Sequence, residues 1–326
     1  MKKIKKMARI GVALLACLGF SAGTAFASDA YPTRSIQIIV PFAAGGSIDI
    51  TYRLLAPVLS KELGQSVVVV NKPGGAATIG MNEVVHAKPD GYTLGAMSFS
   101  QAADPALLKH MPYNPLTDLE PITIVSRSPS LLLVNPKQIP VKTVKEFIAF
   151  VKSKPPGSLN YSSVGVGSTG HLFAALLCSE AGLDMKHVPF TQNGYAAVAQ
   201  GLNQVMFGPI PSAMSWVHSG KLRALAVSSP NPNAAVPDLP TVAATLPGFS
   251  AYEWPSLVAP KGTPKAVVDK LQKAVADALK DPAVKKRLVS LGSEPVGSSP
   301  AELHALMVNQ TKTWAKVIHD IGIAPK

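Results

Sequence analysis

Residues 36–59 read IQIIVPFAAGGSIDITYRLLAPVL, and this stretch decides the fold. Its isoleucine- and valine-rich start predicts a strand over 36–40, a turn then closes on Gly45 and Gly46, and a helical spacing of apolar residues follows. A strand that ends in glycines and opens a helix leaves backbone N–H groups unpaired in the helix's first turn, where they attract anions. Pro57 falls inside the helical pattern and is expected to kink or split it, at about 3 kcal/mol if unrelieved.

Upstream, Lys2, Lys3, Lys5, Lys6 and Arg9 precede an apolar stretch over 10–22 and the small-x-small site Ala25, Phe26, Ala27. That order reads as a secretory signal peptide over 1–27, with the mature chain starting at Ser28 outside the cytoplasm. A lipoprotein box ending at Cys17 is the competing reading, and Leu15 fits it poorly. No segment offers the ~20 consecutive apolar residues of a membrane span. Removing the signal lowers the formal charge from +12 to about +7, so much of the basic excess is targeting signal. The remaining basic residues are dispersed, which argues against nucleic acid and is compatible with an acidic small molecule. Cys178 is then the sole cysteine, set in an apolar run as a core residue.

About 299 mature residues exceed one usual domain and predict two lobes. Strands are predicted over 36–40, 67–70, 92–97, 122–125, 131–134, 159–163, 187–190, 205–207 and 223–227, with helical patterns between them. That alternation predicts an α/β fold with mainly parallel sheets. Thr143 with Glu146 and Ser299 with Glu302 read as capping boxes, and Pro264 and Pro300 as first helical residues. From 264 the chain turns helical, with one docking stripe through Val268, Leu271, Val275 and Leu279 and a broken second one through Leu303, Leu306, Gln310, Trp314, Val317 and Ile321. Proline-rich connectors at 104–121 and 230–247 suggest that the chain crosses between lobes twice, which makes a hinge with a cleft beside it. The expected division is 28–125 plus 249–326 for lobe 1 and 126–248 for lobe 2.

PFAAGGSID (41–49), NKPGG (71–75) with Gly80, PDGYT (89–93), YSSVGVGS (161–168) with His171, HVP (187–189) and GKLRALAV (220–227) stand in one order along the chain. Taken together they resemble the solute-binding receptors of tripartite tricarboxylate transporters, the Bug family. The resemblance runs from about residue 31 to the C-terminus. It implies a two-lobed periplasmic-binding-protein fold of type II that closes on a small carboxylate. It further implies delivery to membrane permease subunits, a monomer and no cofactor, metal or nucleic acid.

The residues suit that chemistry. In the first lobe Phe42, Ala44 and Gly46 lie on the turn, Ser47 is placed to cap the helix, and Asp49 either serves the helix dipole or accepts a ligand donor. Gly75 and Thr78 form a second turn-to-helix entrance, and Ser98 ends the third strand. Family members commonly reach ligand through water at that second entrance, and here Ala76 and Ala77 stand where more glycine is expected. In the second lobe Ser163, Gly165, Gly167, Ser168 and Thr169 crown another helix, so two helix N-termini face each other as a clamp for a dicarboxylate. His171 either contacts ligand or is satisfied within the protein; Arg127 is a carboxylate partner or an exposed hinge residue.

Gln192 and Asn193 complete the expected set, in the loop where the chain departs most from the family. Members carry a tyrosine and a basic residue there, then an Asp-Leu pair; here Phe190, Thr191 and the stretch 196–201 replace them. With no acid in that loop to hold a ligand amino group, plain carboxylates are favoured over amino acids. Phe42, Phe99, Phe190 and Trp254 as flat walls admit an aromatic dicarboxylate such as terephthalate.

Enzyme readings fare worse. GVGSTG (165–170) matches a dinucleotide fingerprint, yet no acid ends the next strand. No H-E-x-x-H pair or G-x-S-x-G elbow occurs. A receptor for a signalling partner is the alternative to a transport receptor, and an exported enzyme ranks third.

Overall fold

Strand β1 (Ile36–Val40) is buried along nearly its whole length and feeds the turn into helix α1 (Ser47–Leu63). The structure, a computed structural model, describes residues 31–190 and 194–325. The expected signal segment with Cys17, and the loop residues Thr191, Gln192 and Asn193, lie outside the described residues. From Arg34 onward the chain forms one unit.

After α1 come β2 (Val67–Asn71), a 3-10 turn (Gly75–Ala77), α2 (Thr78–Val85), β3 (Thr93–Met97), α3 (Phe99–Leu107), β4 (Leu119–Ile124) and the short β5 (Ser126–Arg127). The middle of the chain supplies β6 (Ser130–Val134), α4 (Val144–Lys152), β7 (Asn160–Ser163), α5 (Thr169–Ala181), β8 (Lys186–Pro189), α6 (Gly194–Ala199), β9 (Val205–Pro209), α7 (Ile210–His218) and β10 (Arg223–Val227). The chain then returns through β11 (Ser256–Pro260), α8 (Lys265–Ala278), α9 (Pro282–Ser290), β12 (Glu294–Pro295) and α10 (Pro300–Asp320).

Two five-stranded sheets result, ordered β2-β1-β3-β11-β4 and β10-β6-β9-β7-β8. Both are mixed, which corrects the expectation of mainly parallel sheets. β1 pairs in parallel with β2 and β3, whereas β11 runs antiparallel between β3 and β4. In the second sheet β7 is parallel to β8 and β9, and β6 is antiparallel to β9 and β10. The physical reason is the return crossing: a strand entering from the other sheet arrives against the direction of its neighbours, and no βαβ crossover sets its sense.

The two crossings lie side by side. Ser128 and Glu253 form a bridge, with Ser128 N–H donating to Glu253 O at 2.8 Å and Glu253 N–H to Ser128 O at 2.9 Å. Helix α10 packs on α3, β4 and α5. At their meeting Phe99, Phe173 and Trp314 cluster with ring centroids 5.6 to 6.2 Å apart, an arrangement favourable to aromatic pairs. Thus the C-terminal helix is held by the helices of both sheets.

Local signals behave as their chemistry dictates, with some exceptions. Both predicted capping boxes form, Pro300 opens α10, and Ser98 with Gln101 makes a third box at α3. Pro264 is the N-cap of α8 and not its first helical residue. α1 runs unbroken through Pro57; that proline is on the exposed face, where water can take the carbonyl it leaves unpaired. Cys178 is buried, and burial pushes its thiol up to about 12.

Candidate functional site

The entrance of α1 is built on a side chain it does not present to the cleft. Asp49 is buried; its carboxylate accepts the Gly45 N–H at 2.8 Å, Arg53 Nε at 2.9 Å and Asn71 Nδ2 at 2.9 Å. Burial alone would raise its pKa, but these donors outweigh that effect and hold the carboxyl below its usual range. Asn71 Nδ2 also lies 3.1 Å from the Phe42 carbonyl, so one network clamps both sides of the turn. In the structure the Asp49 carboxylate is engaged by donors of its own turn, its own helix and β2.

Ser47 is not the cap that its sequence position suggests. Gly46 is the N-cap, extended at φ −73, and makes no side-chain cap bond. The Ser47 hydroxyl instead donates to Glu253 Oε2 at 3.1 Å. At the second sheet, Thr169 Oγ1 donates to Glu253 Oε1 at 2.9 Å. Ser168 caps α5 from an extended backbone, and its hydroxyl donates to the Gly165 carbonyl at 2.7 Å. A single carboxylate from the return crossing is therefore received by the first residues of two helices from opposite sheets. Burial raises its pKa, and the Thr169 and Ser47 hydroxyls oppose that rise.

Two adjoining cavities open there. One, of about 400 Å³, is walled by Phe42, Ser98, Phe99, Ser163, Val164, Gly167, Ser168, Thr169, Tyr195, Phe207 and Glu253, among others. The other, of about 660 Å³, is walled by residues of the 41–43, 73–77 and 164–168 turns together with Asp104, Leu107 and Ile323. Phe42, Ser100, Val164, Gly167 and Ser168 belong to both walls. Gly165 faces the larger cavity. Volumes of this order hold small ligands.

Several expected residues sit elsewhere. Ala44, Gly46, Gly75 and Thr78 are on the entrance turns, and Thr78 Oγ1 donates to the Gly75 carbonyl at 2.6 Å. His171 is buried at 2 % exposure and accepts the Gly167 N–H on Nδ1 at 3.1 Å. Its ring stacks on His187, centroids 3.9 Å apart, in a cavity with Tyr161 and Cys178. Arg127 sits over the Tyr252 ring and lines a separate cavity with Glu302 and Gln310. Trp254 is core, at 1 % exposure.

The second entrance explains why glycine is expected there. Gly74, Gly75, Ala76 and Ala77 take φ values of 125, 56, 54 and 71. Ala76 and Ala77 thus hold left-handed conformations that L-residues adopt at a cost of order 1–3 kcal/mol each.

Sequence reasoning missed Glu253, Asp104, Ser100 and Tyr195. The 190–193 loop has no acid, but the cleft takes its acids from other segments. Asp104 is 3 % exposed and its Oδ2 has no hydrogen-bond partner. Burial pushes its carboxyl up to about 7. The signal available for Glu253 was a lone acid in the otherwise apolar stretch AYEWP (251–255), where a charge needs a reason.

Comparison with known proteins places this geometry. BugT of Bordetella pertussis is 33% identical over 319 residues, covering 95% of this chain and 97% of that protein. A solved R. palustris protein with adipate is 33% identical with a TM-score of 0.75, over 91% of this chain and 100% of that one. MatC from Rhodopseudomonas palustris with bound malate is 34% identical with a TM-score of 0.71, over 88% and 100%. The fold is the two-lobed α/β arrangement of periplasmic binding proteins. Residues 51–323 match the family described as tripartite tricarboxylate transporter family receptor, to which this chain therefore belongs.

Proposed function

We propose that this protein captures a small carboxylate in the periplasm by closing its two lobes, 28–125 plus 249–326 against 126–248, and hands it to the permease subunits of a tripartite tricarboxylate transporter. It binds its ligand reversibly and performs no covalent chemistry. The observation that carries the reading is that the turns leading into α1 and α5, at 41–43 and 164–168, wall one cavity from opposite sheets. Helix N-termini supply oriented N–H donors and favourable dipole ends for a carboxylate. The family match and the adipate- and malate-bound relatives support the ligand class. Phe42 and Tyr195 give the smaller cavity flat walls that suit an aromatic acid as well as an aliphatic one.

A thermal-shift screen of mono-, di- and tricarboxylates, followed by calorimetry and small-angle scattering, tests the proposal. Bound ligand raises apparent stability by mass action. The expected result is one-to-one binding, recovery of the acid unchanged and a smaller radius of gyration with ligand. Consumption of the acid would make the protein an enzyme, and no response to any acid would refute carboxylate capture.

A further inference from the structure

Resting on that reading, we propose that Glu253 is the specificity-determining residue of the cleft and selects a small amino-carboxylate, an acid that also carries a basic nitrogen, over a dicarboxylate of equal length. Glu253 lines the smaller cavity and receives one hydroxyl on each oxygen, from Ser47 and from Thr169. An ionised carboxylate offers about four acceptor sites. Two remain for a ligand, and an ammonium group has three donors to give. The hydroxyls of Ser47 and Thr169 spend their protons on Glu253, so they no longer serve as donors to a ligand carboxylate.

The side chains around the two cavities lean toward the acidic. In the adjoining cavity Asp104 is 3 % exposed and its Oδ2 lacks a partner. Among the described residues walling the two cavities there is no lysine, arginine or histidine. Glu253 and Asp104 are thus the acidic side chains of those walls, and no side-chain cation competes for the seat of a ligand nitrogen. The burial that raises the pKa of Glu253 would be offset by a cation beside it.

The two ends of the ligand then have separate seats. Its carboxylate is taken by backbone N–H groups at the helix entrances, and its nitrogen by Glu253. A second carboxylate placed at the nitrogen's seat would face a like charge in a site partly shielded from water, where repulsion is strong. That is discrimination by an unfavourable pairing as much as by a favourable one.

Calorimetry on the full mature chain with three length-matched pairs decides the matter: succinate against β-alanine, glutarate against γ-aminobutyrate, and terephthalate against 4-(aminomethyl)benzoate. In at least one pair the amino acid is expected to bind at least tenfold more tightly. Glu253→Gln should abolish that preference while the unliganded melting temperature moves by only a few degrees. Equal or reversed affinities in all three pairs overturn the inference while leaving carboxylate capture intact, as does a preference that survives Glu253→Gln. Binding of neither arm in any pair, by a protein that does respond to another acid in the wider screen, also overturns the inference and leaves capture standing, whereas no response to any acid in that screen refutes the capture reading itself. The wild-type comparison stands even where Glu253→Gln does not fold, and Glu253→Asp, which keeps the charge and shortens its reach, then serves as the second variant: weakened amino-acid binding is the expected result, and unchanged affinity for both arms counts against the inference.

Discussion

Ser47 and Thr169, each the first residue of its helix and each attached to a different sheet, donate their hydroxyls to the two oxygens of one carboxylate. This pairing relates the two entrances more tightly than two separate anion sites would, because either helix can shift only by breaking its bond to Glu253 or by carrying that residue with it.

Gly46→Val should weaken binding of the best carboxylate at least tenfold without unfolding the protein. Gly46 has an extended backbone at φ −73, and an added Cβ would lie 3.4 Å from the Ala43 carbonyl. Valine tolerates that conformation while crowding the approach to the entrance. Gly167→Val is the poorer test: Gly167 has φ +81, and its Cβ would lie 2.9 Å from Leu107 Cδ1, so stability falls as well. Calorimetry beside thermal melts separates the two effects, and full affinity in Gly46→Val would refute close approach at α1.

Asp49→Ala should cost about 2–3 kcal/mol of stability, read from urea unfolding. Arg53 is half exposed and is resolvated, so most of the loss comes from the Gly45 N–H and the Asn71 amide left without their acceptor. The folded pKa of Asp49 lies below its unfolded value, so its contribution is present above the unfolded value and fades as pH falls through the folded one. A stability difference from wild type that stays constant through acid pH would contradict this.

His171 should give a pH-dependent stability of the opposite origin. Its Nδ1 accepts a backbone N–H, so the ring is neutral with its proton on Nε2. Burial and the neighbouring His187 lower its pKa to about 3, and burial lowers that of His187 to about 4. The unfolded chain binds these protons first, so the stability is full above about pH 6.5 and is lost as pH falls toward the folded values. For His171 the loss at pH 5 is on the order of 2 kcal/mol. Asp104, raised to about 7, pulls the other way, gaining stability as pH falls. The informative quantity is therefore the difference between wild type and His171→Phe, which should shrink by that amount between pH 7.5 and 5; equal differences at the two pH values would refute it.

Ala76→Gly should stabilise the protein by about 1 kcal/mol. Ala76 is exposed and holds φ 54, so glycine relieves strain while giving up no buried methyl. Ala77 is buried, so the same change there forfeits packing. The melting temperature of Ala76→Gly should rise by more than that of Ala77→Gly, and a destabilised Ala76→Gly would show that the turn is not under strain.

The two sheets were legible where apolar runs are bounded by turn residues. β1 and β10 fall on their predicted limits, because isoleucine, valine and alanine runs there stop at Pro41 and Ser228. β11 was not legible: Ser256–Pro260 is short, begins just after Pro255 and ends on a proline, and its central place between β3 and β4 is fixed by pairing across distant segments. The site divides in the same way. Gly165, Gly167, Ser168 and Thr169 were readable because a helix start has a local signature. Glu253 and Asp104 were not, since they reach the cavities from a crossover and a helix that only tertiary structure brings there. Ser47 was misread by one position, as the extended Gly46 begins the helix and frees the serine hydroxyl for a distant partner.

The bridge between Ser128 and Glu253 ties the outgoing and returning chains together at the level of the cleft. If the two sheets rotate against each other as the proposed closure requires, points on the axis move least, and these linked strands are where such an axis would pass. On that proposal the acid that faces the cavity would stand on the pivot while the helix entrances ride on the arms. A ligand group seated on Glu253 would meet the same partner before and after the arms swing, so the free energy of closure would be drawn from the opposite end of the ligand.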